Sequence, residues 1–292
     1  MGLRRLLVAA AVCLSALLVV PVPAGAVEQC AKWERKVFAI TATGGLVQHT
    51  FCVDATRKST SRWTGERVVA TGGWSDTATV FWSGKGHDFG GAYYRVSAST
   101  GMLFWSKDLQ SWRRIGADRD WRAYTSLLST EPGVLYGTDA SGTLRRWAHL
   151  GWQDGSDQWG AEVPVSGLAG ARLLGSTADG FVGMTAAPNF AQVWTLGLTS
   201  KFRILVPPGV EPSRLVAFDL EQRYPDSAFG LTADGRITVL MPNGCAQGDR
   251  FWKADDETGG GGYRLIFLGA FVPYGGGPVE WQCGNTPPGP VN

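Results

Sequence analysis

Leu135-Tyr-Gly-Thr-Asp-Ala-Ser-Gly-Thr-Leu-Arg-Arg-Trp147 reads as a strand, a tight turn and a second strand. Two short alternating runs flank the turn, whose glycine accepts a positive φ freely. Four other stretches share this reading: Val37–Phe51, Tyr93–Trp105, Phe181–Trp194 and Ala228–Leu240, each with a Gly- or Asn-bearing turn. An apolar strand precedes four of the five hairpins, at Ala78–Phe81, Tyr124–Leu128, Ala171–Leu174 and Arg214–Phe218. A fifth such strand, Arg264–Leu268, has no hairpin after it, and the first hairpin has no strand before it. Aromatic residues between hairpins, Trp63, Trp112, Trp159, Phe202 and Trp252, are separated by 49, 47, 43 and 50 residues. A period in the forties with about four strands per unit fits a β-propeller blade. Joining the unmatched first hairpin to the unmatched last strand completes one blade from both chain ends and removes the open sheet edge. The expectation is therefore an all-β protein, a five-bladed β-propeller of four-stranded antiparallel blades closed by strands from both chain ends. Helical periodicity is nowhere sustained.

Residues outside the repeat suggest export. Met1–Ala26 has a basic start (Arg4, Arg5), an apolar run Leu6–Val20 and the small-residue ending Ala24-Gly25-Ala26, the form of a secretory signal peptide cleaved before Val27. The apolar run is short for a membrane span, and no later stretch is longer, so no membrane insertion is expected. The division expected is a signal peptide over 1–26, a propeller over 27–283 and a flexible Pro/Gly tail over 284–292. The chain has 27 Lys+Arg and 25 Asp+Glu. Loss of Arg4 and Arg5 leaves the two signs equal, which argues against nucleic acid or an anionic membrane as partner. Forty glycines and 13 tryptophans describe many short strands and turns rather than a disordered chain. Cys13 leaves with the leader. Cys30, Cys52, Cys245 and Cys283 remain, an even number that favours two disulfides in an exported protein. Cys30–Cys283 with Cys52–Cys245 would lock the closure; Cys30–Cys52 with Cys245–Cys283 is the alternative.

The unit Trp121-Arg-Ala-Tyr-Thr-Ser-Leu-Leu-Ser, continued by Gly133-Val-Leu-Tyr-Gly-Thr and Gly142-Thr-Leu, resembles one blade of the tachylectin-2 family of five-bladed propeller lectins. So does Gly72-Gly73-Trp74 with Ala78-Thr-Val-Phe and Tyr93-Tyr-Arg-Val. The likeness extends over the chain as a period and is sharp over residues 63–147. It implies binding of N-acetylated amino sugars at shallow sites repeated around the ring, without catalysis, metal or cofactor. An acidic or amide residue precedes the inter-hairpin tryptophan in that family. Here Asp157 and Asp249 stand near that place, whereas Arg62, Ser111 and Lys201 hold it in the others, so fewer than five equivalent sites are expected.

An exposed indole stacks on the apolar face of a pyranose while neighbouring carboxylates bond its hydroxyls. The carbohydrate-binding candidates are Trp74 and Trp121 beside turns, Trp63, Trp112, Trp159 and Trp252 between hairpins, and Asp157 and Asp249. Trp105, Trp147 and Trp194, at strand ends in register, read as core wedges. Ser106-Lys-Asp-Leu-Gln-Ser-Trp112 resembles the short turn motifs of propeller-fold glycosidases, in which the motif is structural. A glycosidase needs two carboxylates across a bond, and no pair converges in sequence, so no catalytic residue is assigned. Neither His49, His87 nor His149 has a metal partner at ligand spacing, and Asp255-Asp256-Glu257 lacks the alternation of a calcium loop. The expected protein is a secreted, extracellular, monomeric, multivalent lectin for N-acetylhexosamine-type glycans. A scaffold for another extracellular protein is the alternative, and a secreted glycosidase the third option.

Overall fold

A computed structural model describes residues 33–53, 62–85, 89–165, 172–177, 180–184, 190–195, 200–205, 228–242, 249–254, 261–269 and 272–273. The strands follow the alternation. β1 (Trp33–Thr41), β2 (Leu46–Val53) and β3 (Arg62–Ala70) form an antiparallel meander, as do β4 (Thr77–Lys85), β5 (Phe89–Ser97), β6 (Leu103–Ser106) and β7 (Arg113–Ile115). β8 (Tyr124–Glu131), β9 (Val134–Asp139), β10 (Leu144–Ala148) and β11 (Val163–Val165) make a third sheet. β12 (Arg172–Thr177), β13 (Gly180–Met184), β14 (Phe190–Thr195) and β15 (Ser200–Leu205) make a fourth meander; β16 (Ala228–Leu231), β17 (Ile237–Pro242) and β18 (Asp249–Ala254) make a fifth group. β19 (Tyr263–Leu268) returns to the first sheet, where Phe38 pairs with Phe267 and Ala39 with Ile266, and β20 (Val272–Pro273) pairs with the start of β1. The unmatched strand and the unmatched hairpin thus share one sheet. Among the described residues the helical content is a single 3-10 turn at Trp121–Ala123, and no helix is long and apolar enough to cross a membrane.

One expectation is modified. The fourth and fifth groups are not separate four-stranded units, because β15 and β18 pair in parallel and join them into a seven-stranded sheet. Each presents an outer strand with unpaired backbone groups, and pairing those edges satisfies both. The strand expected at Arg214–Phe218 lies outside the described residues.

The first and second sheets are each covered on both faces. Alternate residues of β1 point to opposite sides. Val37 and Ala39 join Phe229, Leu231, Ile237 and Val239 of the fifth group, while Phe38 and Ile40 join Trp74, Val80 and Tyr93 of the second sheet. The second sheet in turn sends Phe81, Tyr94 and Leu103 into a core with Trp121, Leu127 and Leu135 of the third. Successive sheets are therefore stacked face to face through apolar layers. Each fully buried large side chain contributes about 1.5–3 kcal/mol. The innermost strands are neighbours in sequence around the stack: β19 lies beside β4 and β16, β4 beside β8, and β8 beside β12. β19, β4 and β8 each carry a one-residue bulge at the same register, at Arg264, Ala78 and Thr125. A repeated bulge re-aims the same position in each sheet. The arrangement is β-propeller-like.

Candidate binding surface at the hairpin end

The hairpin turns of the first, second, third and fifth groups place Gly44, Gly101, Gly142 and Gly235 at φ 84°, 71°, 81° and 76°. The residue opening each turn bonds the turn's own backbone. Thr41 Oγ1 accepts from Gly45 N at 2.8 Å, Ser97 Oγ from Thr100 N at 3.0 Å, Asp139 Oδ1 from Ser141 N and Thr143 N at 3.0 Å, and Thr232 Oγ1 from Arg236 N at 2.9 Å. This is the reason for Thr, Ser and Asp at that position.

These turns lie at one end of the molecule, because each of three glycines holds the backbone leading into the next sheet. Trp74 N donates to Gly44 O at 3.0 Å, Trp121 N to Gly101 O at 2.9 Å, and Tyr263 N to Gly235 O at 2.9 Å. Two arginines add bridges. Arg122 donates to Ala98 O at 3.2 Å and Ser99 O at 2.8 Å while gripping Asp120, and Arg264, the bulge residue of β19, donates to Thr77 O at 2.8 Å and Ser75 O at 3.1 Å. Arg122 bonds the Asp120 carboxyl and holds it down at about 2.

Between sheets sit two aromatic corners. In the first, Trp74 meets Trp112 edge-on at 5.5 Å, and the Arg95 guanidinium lies 4.7 Å from the Trp112 ring and 5.3 Å from those of Trp74 and Phe104. Burial lowers the Arg95 pKa and nearby Asp76 partly opposes it. Asp76 accepts from Ser97 Oγ at 2.6 Å and Ser99 N at 2.7 Å, bonds that hold its carboxyl low.

In the second corner Trp121 and Trp147 meet at 5.3 Å, Tyr124 lies 4.7 Å from Trp147, and Arg119 stacks 5.3 Å from Trp121. Glu162 accepts from Arg119 at 3.0 Å, from Arg145 at 2.6 Å and from the Trp147 indole at 3.0 Å. Burial pushes the Glu162 carboxyl up, but the Trp147 and Arg145 bonds and both guanidiniums outweigh it and leave it below its usual range. Asp139 accepts from Ser141 and from Arg145 Nε at 3.0 Å, and falls to about 2.

The loop between β10 and β11 reaches over to the second sheet. Asp157 Oδ1 accepts from Gly116 N and from Trp159 Nε1, both at 2.6 Å, and Trp159 packs 5.5 Å from Trp121. His149, 1 % exposed, is 2.8 Å from both the Tyr94 hydroxyl and the Ser156 carbonyl.

The expectation that Trp74 and Trp121 present open faces is corrected: they are 3 % and 1 % exposed. Each lies between two sheets, where stacking the sheets removes both ring faces from solvent. Trp121 also donates to Gly116 O at 3.1 Å, satisfying its indole N–H. Trp63, Trp112 and Trp159 are half-buried, at three different junctions, so the candidates do not assemble into one site. Trp63 packs on His49, Phe51 and Phe229. Trp121, Trp159 and Asp157 do come together. Trp252 and Asp249 lie on β18, where the backbone alone is described. Trp105 and Trp147 are core residues, at 8 % and 1 % exposure. In the Ser106–Trp112 turn Asp108 accepts from Gln110 N and Ser111 N at 2.8 Å, a structural role, and Leu109 adopts φ 64°. His49 is buried, 2.9 Å from the Tyr263 hydroxyl. Cys52, at the end of β2, is disulfide-bonded; Cys30, Cys245 and Cys283 lie outside the described residues, as do His87, the 255–257 acids and residues 1–26 and 284–292. No cluster of three metal-ligating side chains occurs among the described residues.

Arg95, Arg119, Arg145, Glu162 and Arg264 were not singled out by sequence. Several of their partners are distant in the chain, as Glu162 is from Arg119 and Thr77 from Arg264, and no local pattern marks such pairs.

No family model matches the chain, and no curated protein does. Among solved structures it is similar to PorZ, described as an essential bacterial surface component of the type-IX secretion system of Porphyromonas gingivalis, at 14 % identity over 77 % of this chain with a TM-score of 0.33. It is also similar to the Neurospora crassa Pan2 WD40 domain, at 10 % identity over 76 % of this chain with a TM-score of 0.33. A third is KlHsv2 with loop 6CD replaced by a Gly-Ser linker, at 10 % over 71 % with a TM-score of 0.30. The chain spans 25 %, 65 % and 63 % of those three chains respectively.

Proposed function

We propose that the protein is an exported five-bladed propeller, closed through the sheet shared by β1 and β19, that binds a partner protein at its hairpin end and converts nothing. In this reading the four cysteines of the exported chain form two disulfides. The observation that carries the scaffold reading is the construction of that end. Polar turns from successive sheets are tied to one another through Gly44, Gly101 and Gly235, and their acids, Asp76, Asp120 and Asp139, serve as turn acceptors. A rim of this kind offers polar contacts on a rigid base, the usual setting for recognition loops. A photo-crosslinker at Ser99 or Asp234 on the rim should capture one discrete partner on the producing cells. The same group at Glu131, at the far end of the third sheet, should not; equal capture from both ends contradicts the scaffold reading.

The lectin reading keeps one foothold. Trp159 is half-buried beside Asp157, an aromatic ring and a carboxylate at one junction. Retention on N-acetylhexosamine beads that falls with Trp159→Ala would establish it. Absence of signal on a glycan array removes it.

A further inference from the structure

We propose that the corner formed by Arg119, Arg145 and Trp147 is a carboxylate-binding site whose resident occupant is the chain's own Glu162. Two guanidiniums and an indole N–H converge on that one carboxylate, at 3.0, 2.6 and 3.0 Å. Arginine clusters of this kind are the common device for recognising acidic groups.

The host is held without its guest. Arg145 is fixed by Asp139 through Nε at 3.0 Å. Arg119 is fixed by Asp118 at 3.1 Å and by stacking on Trp121 and Trp147. Trp147 is 1 % exposed and wedged against Trp121 and Tyr124. The guest sits on a shorter element, although its side chain is no more exposed than that of Arg145, at 34 %. Glu162 immediately precedes β11, a three-residue strand at the edge of its sheet, and its side chain is 32 % exposed. Donors fixed by other partners around an acceptor on a short edge segment make a preorganised site with a replaceable occupant. The ligand class is an alkyl carboxylate, free or on an acidic side chain. A tethered carboxylate competes at an effective concentration of the order of millimolar, so the intact chain binds such ligands more weakly than a chain without Glu162. This site needs neither the five-blade count nor the scaffold reading.

The test uses the full chain and its Glu162→Ala variant, with the Trp147 Nε1–H resonance followed by nitrogen-15 NMR. The probes are glutarate and a blocked Ala-Glu-Ala tripeptide; propionamide and sodium chloride at matched ionic strength are the controls. The variant should show a saturable shift with a carboxylate probe, at least tenfold tighter than the intact chain, and none with the controls. The tighter probe identifies a free acid or an acidic side chain as the better ligand. Adding Arg145→Ala should abolish the response. A folded Glu162→Ala protein with no saturable response to either carboxylate, or with the same response to chloride, overturns the proposal. Where Glu162→Ala does not fold, Glu162→Gln carries the same titration, and failure of both variants to fold also overturns it, since a replaceable occupant is not required for folding.

Discussion

At Gly101 the backbone stands at φ +71°, and an added Cβ would collide with the Asp120 carboxylate that grips Arg122. Gly72, also in a turn, has nothing within 4 Å of its Cβ direction. Gly101→Ala should lower stability by roughly 1–3 kcal/mol, from left-handed strain plus the displaced carboxylate. Gly72→Ala should stay within about 0.5 kcal/mol. Urea unfolding of the pair measures the difference, and equal midpoints would show that the turn does not depend on its glycine. Trp121→Ala should cost about 3–5 kcal/mol because the ring fills the space between two sheets. A surface platform at that position would leave the melting temperature almost unchanged. Spacing alone made the tryptophans visible and could not show which way each ring points: Trp105 and Trp121 both flank apolar runs and are both buried, while Trp112 and Trp159 remain half-open.

At the scale of elements, the β10–β11 loop is secured by a buried histidine. The Ser156 carbonyl can only accept, so His149 Nε2 carries the hydrogen; in the uncharged ring that burial favours, Nδ1 then accepts from the Tyr94 hydroxyl. That is the neutral tautomer. Burial lowers the His149 pKa from 6.5, partly opposed by the Ser156 carbonyl and by Asp157 and Asp154. Burial lowers that of His49 too, partly opposed by Glu66. A folded-state pKa below the unfolded value means that the unfolded chain binds more protons, so stability is full above about pH 6.5 and falls as pH drops towards the folded value. Unfolding free energy measured from pH 7.5 to 5 should therefore decline on acidification, and less steeply in His149→Gln. An unchanged slope would show that the ring is not held neutral. The hairpins were legible because their period-2 alternation and glycine turns are local: all five expected ones form, as β1–β2, β5–β6, β9–β10, β13–β14 and β16–β17. The β15–β18 pairing was not, since a parallel contact between outer strands leaves no turn signal. Nor was the second corner, because Arg119 and Glu162 stand 43 residues apart and no local pattern joins them.

For the molecule as a whole, the decisive feature is that β1 is an inner strand of its sheet although it is the first in the described chain. It is paired on one side by β2 and on the other by β19. Phe38 and Phe267 stack at 5.1 Å across that pairing, and Arg264 carries the link onward to the second sheet. Sequence showed the missing strand and the spare one, hence the pairing; it could not show that neighbouring outer strands would merge. Arg264→Lys should lower stability by about 1–3 kcal/mol, since an ammonium cannot reproduce the guanidinium's spread of donors to several carbonyls. Chemical denaturation would measure this, and an unaltered midpoint would show that the bridge adds nothing. The most direct check on the account is a nuclear Overhauser spectrum of the isotope-labelled chain in solution. Cross-strand contacts should join Phe38 to Phe267 and Ala39 to Ile266, alongside those joining Phe38 to Gln48. Contacts from β1 to β2 alone, with none to residues 265–268, would contradict a sheet built from both ends of the repeat.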